Sequence, residues 1–238
     1  MRRNCLASSL VLALVVATPA AAQQLVKTHL DAPRDAPAIG QQYRETVTTA
    51  IRQMSGGEPQ AAIATLAPAV AYCDAQQARP NLRFVSVSTA AQYNRYAAGN
   101  TDGAPLEWLD MACTHAYYYT GYALVEQRAF AEALPYLEKA AALAPYYPDA
   151  PNERGLALNL MGRNDEAEQQ YRQVLALAEA APEAAYVVPL TWRGIGYALI
   201  EKRDWAGARA AYEHSLALDP GNKTALNELE YIKQHAAP

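Results

Sequence analysis

Residues 189–222 read PLTWRGIGYALIEKRDWAGARAAYEHSLALDPGN. The fixed points of this stretch are Trp192, Ile195, Gly196, Ala208, Tyr212 and Pro220. Measured from Gly196, the last three stand 12, 16 and 24 residues on. Gly121 is followed at the same offsets by Ala133, Leu137 and Pro145. Gly155 is followed by Ala167 and Tyr171, with Glu179 where proline would fall. The three glycines lie 34 and 41 residues apart, so seven extra residues, about Pro182 to Val188, separate the last two units. A period of this length marks a stack of small units, each unable to bury its apolar face alone.

The spacing resembles the tetratricopeptide repeat family, whose unit is a helical hairpin of about 34 residues. Pro189 to Asn222 is the best match. Thr114 to Tyr147 carries Tyr117, Gly121, Leu124, Ala133, Leu137, Ala140 and Pro145 in signature places. Pro148 to Ala181 departs from the pattern, with Pro151 in place of a large aromatic residue and Arg154 in place of Leu. A degenerate earlier unit starts at Tyr43, with Ala50 in the glycine place and Ala62 and Leu66 at the usual offsets. The resemblance implies an all-α fold, an α-solenoid of hairpins with a short irregular insert. It sets Gly121, Gly155 and Gly196 against Ala133, Ala167 and Ala208 across each hairpin. Tyr117, Tyr171, Trp192 and Tyr212 would fill the spaces between hairpins.

Composition agrees with helices in close contact. Alanine supplies 51 of 238 residues and is the best helix former, because it loses no side-chain entropy on ordering. A net charge of −4 without a dense basic block argues against nucleic acid as partner.

Arg2 and Arg3 precede an apolar stretch from about Leu6 to Ala17, and Ala20 and Ala22 follow as small residues. Residues 1–22 therefore read as a secretory signal peptide cut near Ala22, too short to serve as a membrane anchor. Cleavage leaves 18 basic against 24 acidic residues, a net charge of −6. No later segment has the length and apolarity of a membrane span, so the expected product is periplasmic or secreted. Residues 23–40, with Pro33 and Pro37 and no clear period, read as a mobile leader.

Two helix-length stretches follow between Gln41 and Ala75, broken at Ser55 to Pro59. Residues 74–103 form the irregular insert: Leu82 to Ser88 alternates like a strand, and Ser88-Thr89 can cap a helix through Ala98. From Leu106 onward the reading is helices alone, the final one running from Lys223 to His235 with Leu226, Leu229 and Ile232 on its apolar stripe. The domain plan is thus 41–113, a degenerate hairpin plus insert, and 114–238, three repeats and a capping helix.

Cys73 and Cys113 remain after cleavage. In an oxidising compartment they can form a disulfide, or they can be two buried thiols. Cys113 and His115, two apart on one helix, do not face each other as a nucleophile and base would. No paired zinc spacing, phosphate loop or nucleophile elbow occurs, and no cofactor is expected.

The reading that follows is a non-enzymatic scaffold of the cell envelope holding a protein or peptide partner. The family resemblance implies that the first helix of each hairpin lines the concave face, through positions three before and one after the glycine. These are Tyr118 and Tyr122, Asn152 and Leu156, Arg193 and Tyr197, then Asn227 and Tyr231 on the last helix. Arg193 would offer a bidentate site for one acidic group. The alternative for all eight is packing on one another or on the insert. The rival functions are an oligomer stacking through its array ends, and an enzyme with its site in 41–113.

Overall fold

A computed structural model describes residues 38–236. Residues 1–37, with the signal peptide and most of the leader, lie outside the described residues. Ten α-helices run in sequence among the described residues: α1 (Arg44–Ser55), α2 (Pro59–Gln77), α3 (Ala90–Ala98), α4 (Met111–Glu126), α5 (Phe130–Leu143), α6 (Asp149–Leu160), α7 (Asn164–Ala180), α8 (Val188–Glu201), α9 (Trp205–Leu218) and α10 (Lys223–His235). They pair as α1/α2, α4/α5, α6/α7 and α8/α9, with α10 on the end of the stack. Six of the seven extra residues form a 3-10 helix, Pro182–Val187, which follows α7, a helix of 17 residues against 14 in α5 and α9.

One backbone event recurs in all four hairpins. The seventh residue after the glycine position has positive φ: Gly57 after Ala50, Arg128 after Gly121, Gly162 after Gly155 and Arg203 after Gly196. The next residue's N–H then donates back to the carbonyl five residues earlier, as Glu58 to Gln53, Ala129 to Leu124, Arg163 to Leu158 and Asp204 to Leu199, at 2.8–2.9 Å. The α1/α2 hairpin turns like the others, although Ala50 replaces its glycine.

The three repeat glycines do not simply face the small alanines. A Cβ on Gly121 would lie 2.6 Å from Leu137 Cγ, although the Ala133 carbonyl is also near at 3.4 Å. On Gly155 it would strike the Tyr171 ring at 2.7 Å, and on Gly196 the Tyr212 ring at 2.6 Å. The partner is therefore the large residue at the sixteenth position, which needs the missing side chain's volume. Tyr171 also fills the space between hairpins, because its ring lies against Gly194 of α8.

The insert between α2 and α4 is a small parallel unit, in which β1 (Arg83–Val85) pairs with β2 (Leu106–Trp108), and α3 is the crossover. Leu106–Trp108 is thus a strand, where the sequence reading has helix. Three residues cannot show a helical period, and the partner strand lies 23 residues earlier in register. Ile39 bridges to Leu109 and Gly40 lies against Cys113, so the end of the 23–40 stretch is anchored. Thr89 caps α3 by accepting from the Gln92 N–H at 3.2 Å. Val85, Val87, Tyr93 and Leu106 form the insert's core. The Ser86 N–H donates to the Leu143 carbonyl at 2.7 Å, joining the insert to α5. Arg95 pairs with Glu183 of the 3-10 segment at 3.2 Å.

Cys73 of α2 and Cys113 of α4 form a disulfide. Beside it the Tyr117 hydroxyl donates to Asp74 Oδ1 at 2.7 Å and accepts from Gln77 Nε2 at 2.8 Å. On α10 the buried residues are Ala225 and Ile232, while Leu226 is exposed, so the apolar stripe is turned from the expected one. No helix among the described residues is long and apolar enough to cross a membrane.

Candidate functional site

The first helices of successive hairpins touch one another, α4 against α6 and α6 against α8, more extensively than the second helices do. Closer approach on one side curves a stack toward that side, so the first helices lie on its inner face. The position one after the glycine recurs along this face. Leu156 is 39% exposed, Tyr197 37% and Tyr231 41%, while the equivalent Tyr122 is half-buried. Leu160, four residues beyond Leu156 on the same side of α6, is 43% exposed. Tyr231 lies flat on His235, 3.9 Å between ring centres.

The position three before the glycine has other surroundings. Asn152 is buried and accepts a hydrogen bond from the Thr191 hydroxyl at 2.9 Å, tying α6 to α8. Arg193 is mostly covered and donates to Ser215 Oγ at 3.1 Å and Asp219 Oδ2 at 3.2 Å. Its charge is already answered within its own hairpin. Tyr118 is half-buried in a ring cluster, and Asn227 is exposed on α10. Leu156, Tyr197 and Tyr231 thus form an exposed ladder, Asn152 and Arg193 hold helices together, Tyr118 and Tyr122 stack on each other, and Asn227 stands exposed.

Several contributors had no signal in the repeat spacing. Asn159 donates to the Gly194 carbonyl at 3.0 Å, a second polar tie between α6 and α8. Glu153 is 91% buried by its 9% exposure, and its Oε1 has no hydrogen-bond partner. Burial, with Glu126 and Asp149 nearby, pushes its carboxyl up to about 7. Burial also raises the hydroxyls of Tyr118 and Tyr147 and holds His115 below its ordinary value. Cys113 is held in the disulfide and is not a free nucleophile. No group of three His, Cys, Asp or Glu side chains among the described residues is placed to hold a metal ion.

The tetratricopeptide repeat family matches residues 189–222 and again 152–180, the α8/α9 hairpin and most of α6/α7. The chain therefore contains tetratricopeptide repeats. The two matched tetratricopeptide repeats are the pair joined by Asn152–Thr191 and Asn159–Gly194. Similar solved structures are tetratricopeptide proteins. The first such domain of Spaghetti (RPAP3), bound to the HSP90 peptide SRMEEVD, is 26% identical over 52% of this chain and 94% of its own, with a TM-score of 0.46. The first domain of human RPAP3 is 25% identical over 51% of this chain and 90% of its own, at 0.46. YrrB, described as having an unusual peptide-binding site, is 20% identical over 88% of this chain and all of its own, at 0.43. No match is found among curated proteins.

Proposed function

We propose that this protein is a non-enzymatic scaffold that holds a segment of another protein along the inner face of its array. The observation that carries the reading is the ladder Leu156, Tyr197 and Tyr231, one exposed apolar side chain at the same place on three successive first helices. Neighbouring packed helices stand about 8–10 Å apart, so such a ladder suits a partner laid across them as an extended chain or amphipathic helix. Tyrosine supplies rigid apolar area with one polar tip, which favours it at interfaces. We also propose an envelope role, supported by the basic start, apolar stretch and Ala20-x-Ala22 site of the sequence. Protein recovered from the periplasm should begin near Gln23, and an intact Met1 there would end the export reading.

The groove is tested by panning a displayed peptide library against the protein and mapping selected peptides by NMR shift perturbation. Perturbations should gather on α4, α6, α8 and α10 and weaken with Leu156→Ala and Tyr197→Ala. Shifts confined to the second helices, or selected peptides indifferent to both variants, would overturn it.

A further inference from the structure

Where α4 meets α6, three tyrosines of α4 and Tyr147, from the turn between α5 and α6, gather around the start of α6. The Tyr118 ring stacks on Tyr122 at 6.1 Å and meets Tyr119 and Tyr147 edge-on at 4.9 and 5.4 Å. His115 closes on Tyr147 at 5.4 Å. Into this assembly α6 brings Asp149, which accepts from the Tyr186 hydroxyl, and Glu153 with its unpartnered Oε1.

The local field has one sign. Glu126, Asp149 and Glu153 are the charged residues that act on Tyr118, Tyr122 and Tyr147, and no Lys or Arg among the described residues acts on them. The same two carboxylates, Glu126 and Asp149, act on Glu153 and keep its own carboxyl high. His115 brings no charge near neutral pH, because burial holds it in the neutral form. A buried carboxylate oxygen without a donor is costly, and the faces of tyrosine rings add further negative potential. Both shortfalls are met by the same thing, a cation whose alkyl stem lies on the rings while its head reaches the carboxylates. The half of the groove around Arg193 has no such deficit, since Asp219 answers the guanidinium.

We propose that this aromatic and acidic basin on α4 and α6 receives one Lys or Arg side chain of the bound segment. The inference rests on the groove reading above and names the chemistry of its partner, a basic segment.

The test uses the whole chain and two probes at fixed ionic strength. In the first arm Nα-acetyl-argininamide is titrated and ring signals of Tyr118, Tyr122 and Tyr147 are followed by NMR, with the neutral citrulline analogue as control. In the second arm, groove-selected peptides are compared with versions whose Lys or Arg is replaced by citrulline or Ala. The arginine probe should shift the rings saturably and the citrulline probe should not. Loss of the basic residue should weaken the peptides at least tenfold, and Glu153→Gln should weaken both probes at least fivefold. Tyr122→Ala, at a half-buried position on the rim, reads the same loss if Glu153→Gln fails to fold. Peptides that bind the groove with no basic requirement, or that prefer Asp and Glu, overturn the basin and leave the groove reading standing. Saturable arginine shifts on a protein that holds no peptide in the groove would instead overturn the groove reading and keep the cation site.

Discussion

The ring of Tyr171 lies flush against Gly194: a Cβ on that glycine would stand 2.3 Å from Tyr171 Cζ. Tyr171 belongs to α7 and Gly194 to α8, so their contact sets how closely the third and fourth hairpins stack. Tyr171 is 2% exposed and walled in by Gly155 on its own hairpin, so the ring has nowhere to retreat. Gly194→Ala should therefore destabilise the protein by about 1–3 kcal/mol through overpacking, despite alanine's better helix propensity. Denaturant unfolding checks it, and a gain in stability would show that the hairpins can separate cheaply.

Gly162→Ala isolates a different cost. Nothing stands within 4 Å of a Cβ at Gly162, but its φ is +74°. The loss, about 1 kcal/mol, should come from left-handed backbone alone. The converse change at the equivalent turn, Arg203→Gly, should stabilise by several tenths of a kcal/mol, since Arg203 has φ of 61°. Paired melting curves of the two variants would decide it.

Positions three before and one after the glycine should respond unequally. Asn152→Ala removes the bond between α6 and α8, leaving the Thr191 hydroxyl only the Val187 carbonyl at 3.0 Å, and should cost about 1 kcal/mol. Leu156 and Tyr197 keep more than a third of their surface in water, so replacing either by Ala should cost less, under about 1 kcal/mol. Melting that falls as far for Tyr197→Ala as for Asn152→Ala would assign the ladder to the core.

Glu153 gives stability a pH signature. Its folded value, about 7, lies above the ordinary 4.5, because burial and the charges of Glu126 and Asp149 disfavour ionisation. A raised value means the folded state binds the proton more tightly. Its contribution is then full below pH 4.5 and is lost as pH rises to about 7, by up to roughly 3 kcal/mol. The difference in unfolding free energy between wild type and Glu153→Gln should drift across this window and be flat above it. A flat difference throughout would place Glu153 in water.

The Cys73–Cys113 bridge closes a separation of 40 residues between α2 and α4. Chain entropy alone gives such a loop roughly 4 kcal/mol. Reduction, or Cys73→Ala with Cys113→Ala, should lower the denaturation midpoint by a corresponding amount. Unfolded, non-reduced protein cut after Ala22 should show no free thiol, and two reactive thiols would contradict the bridge.

The repeat spacing by itself determined the hairpins from Thr114 onward, the place of the seven extra residues and the capping helix. Each of these depends on contacts a fixed number of residues apart, which a period records. Thr89 as a helix cap was legible for the same local reason. The sequence left other matters open because their partners are remote in the chain. Leu106–Trp108 is a strand only because Arg83–Val85 lies beside it, and the two cysteines form a bond only because α2 packs on α4. The division of the concave positions was likewise decided in three dimensions. Asn152 and Arg193 carry the polar groups that the spacing marks as ligand contacts, yet Thr191, 39 residues from Asn152, and Asp219, 26 residues from Arg193, already engage them. Glu153 carried no motif at all. Its character comes from the tyrosines and carboxylates that stacking gathers around it, because burial and field are properties of neighbours in space rather than of neighbours in sequence.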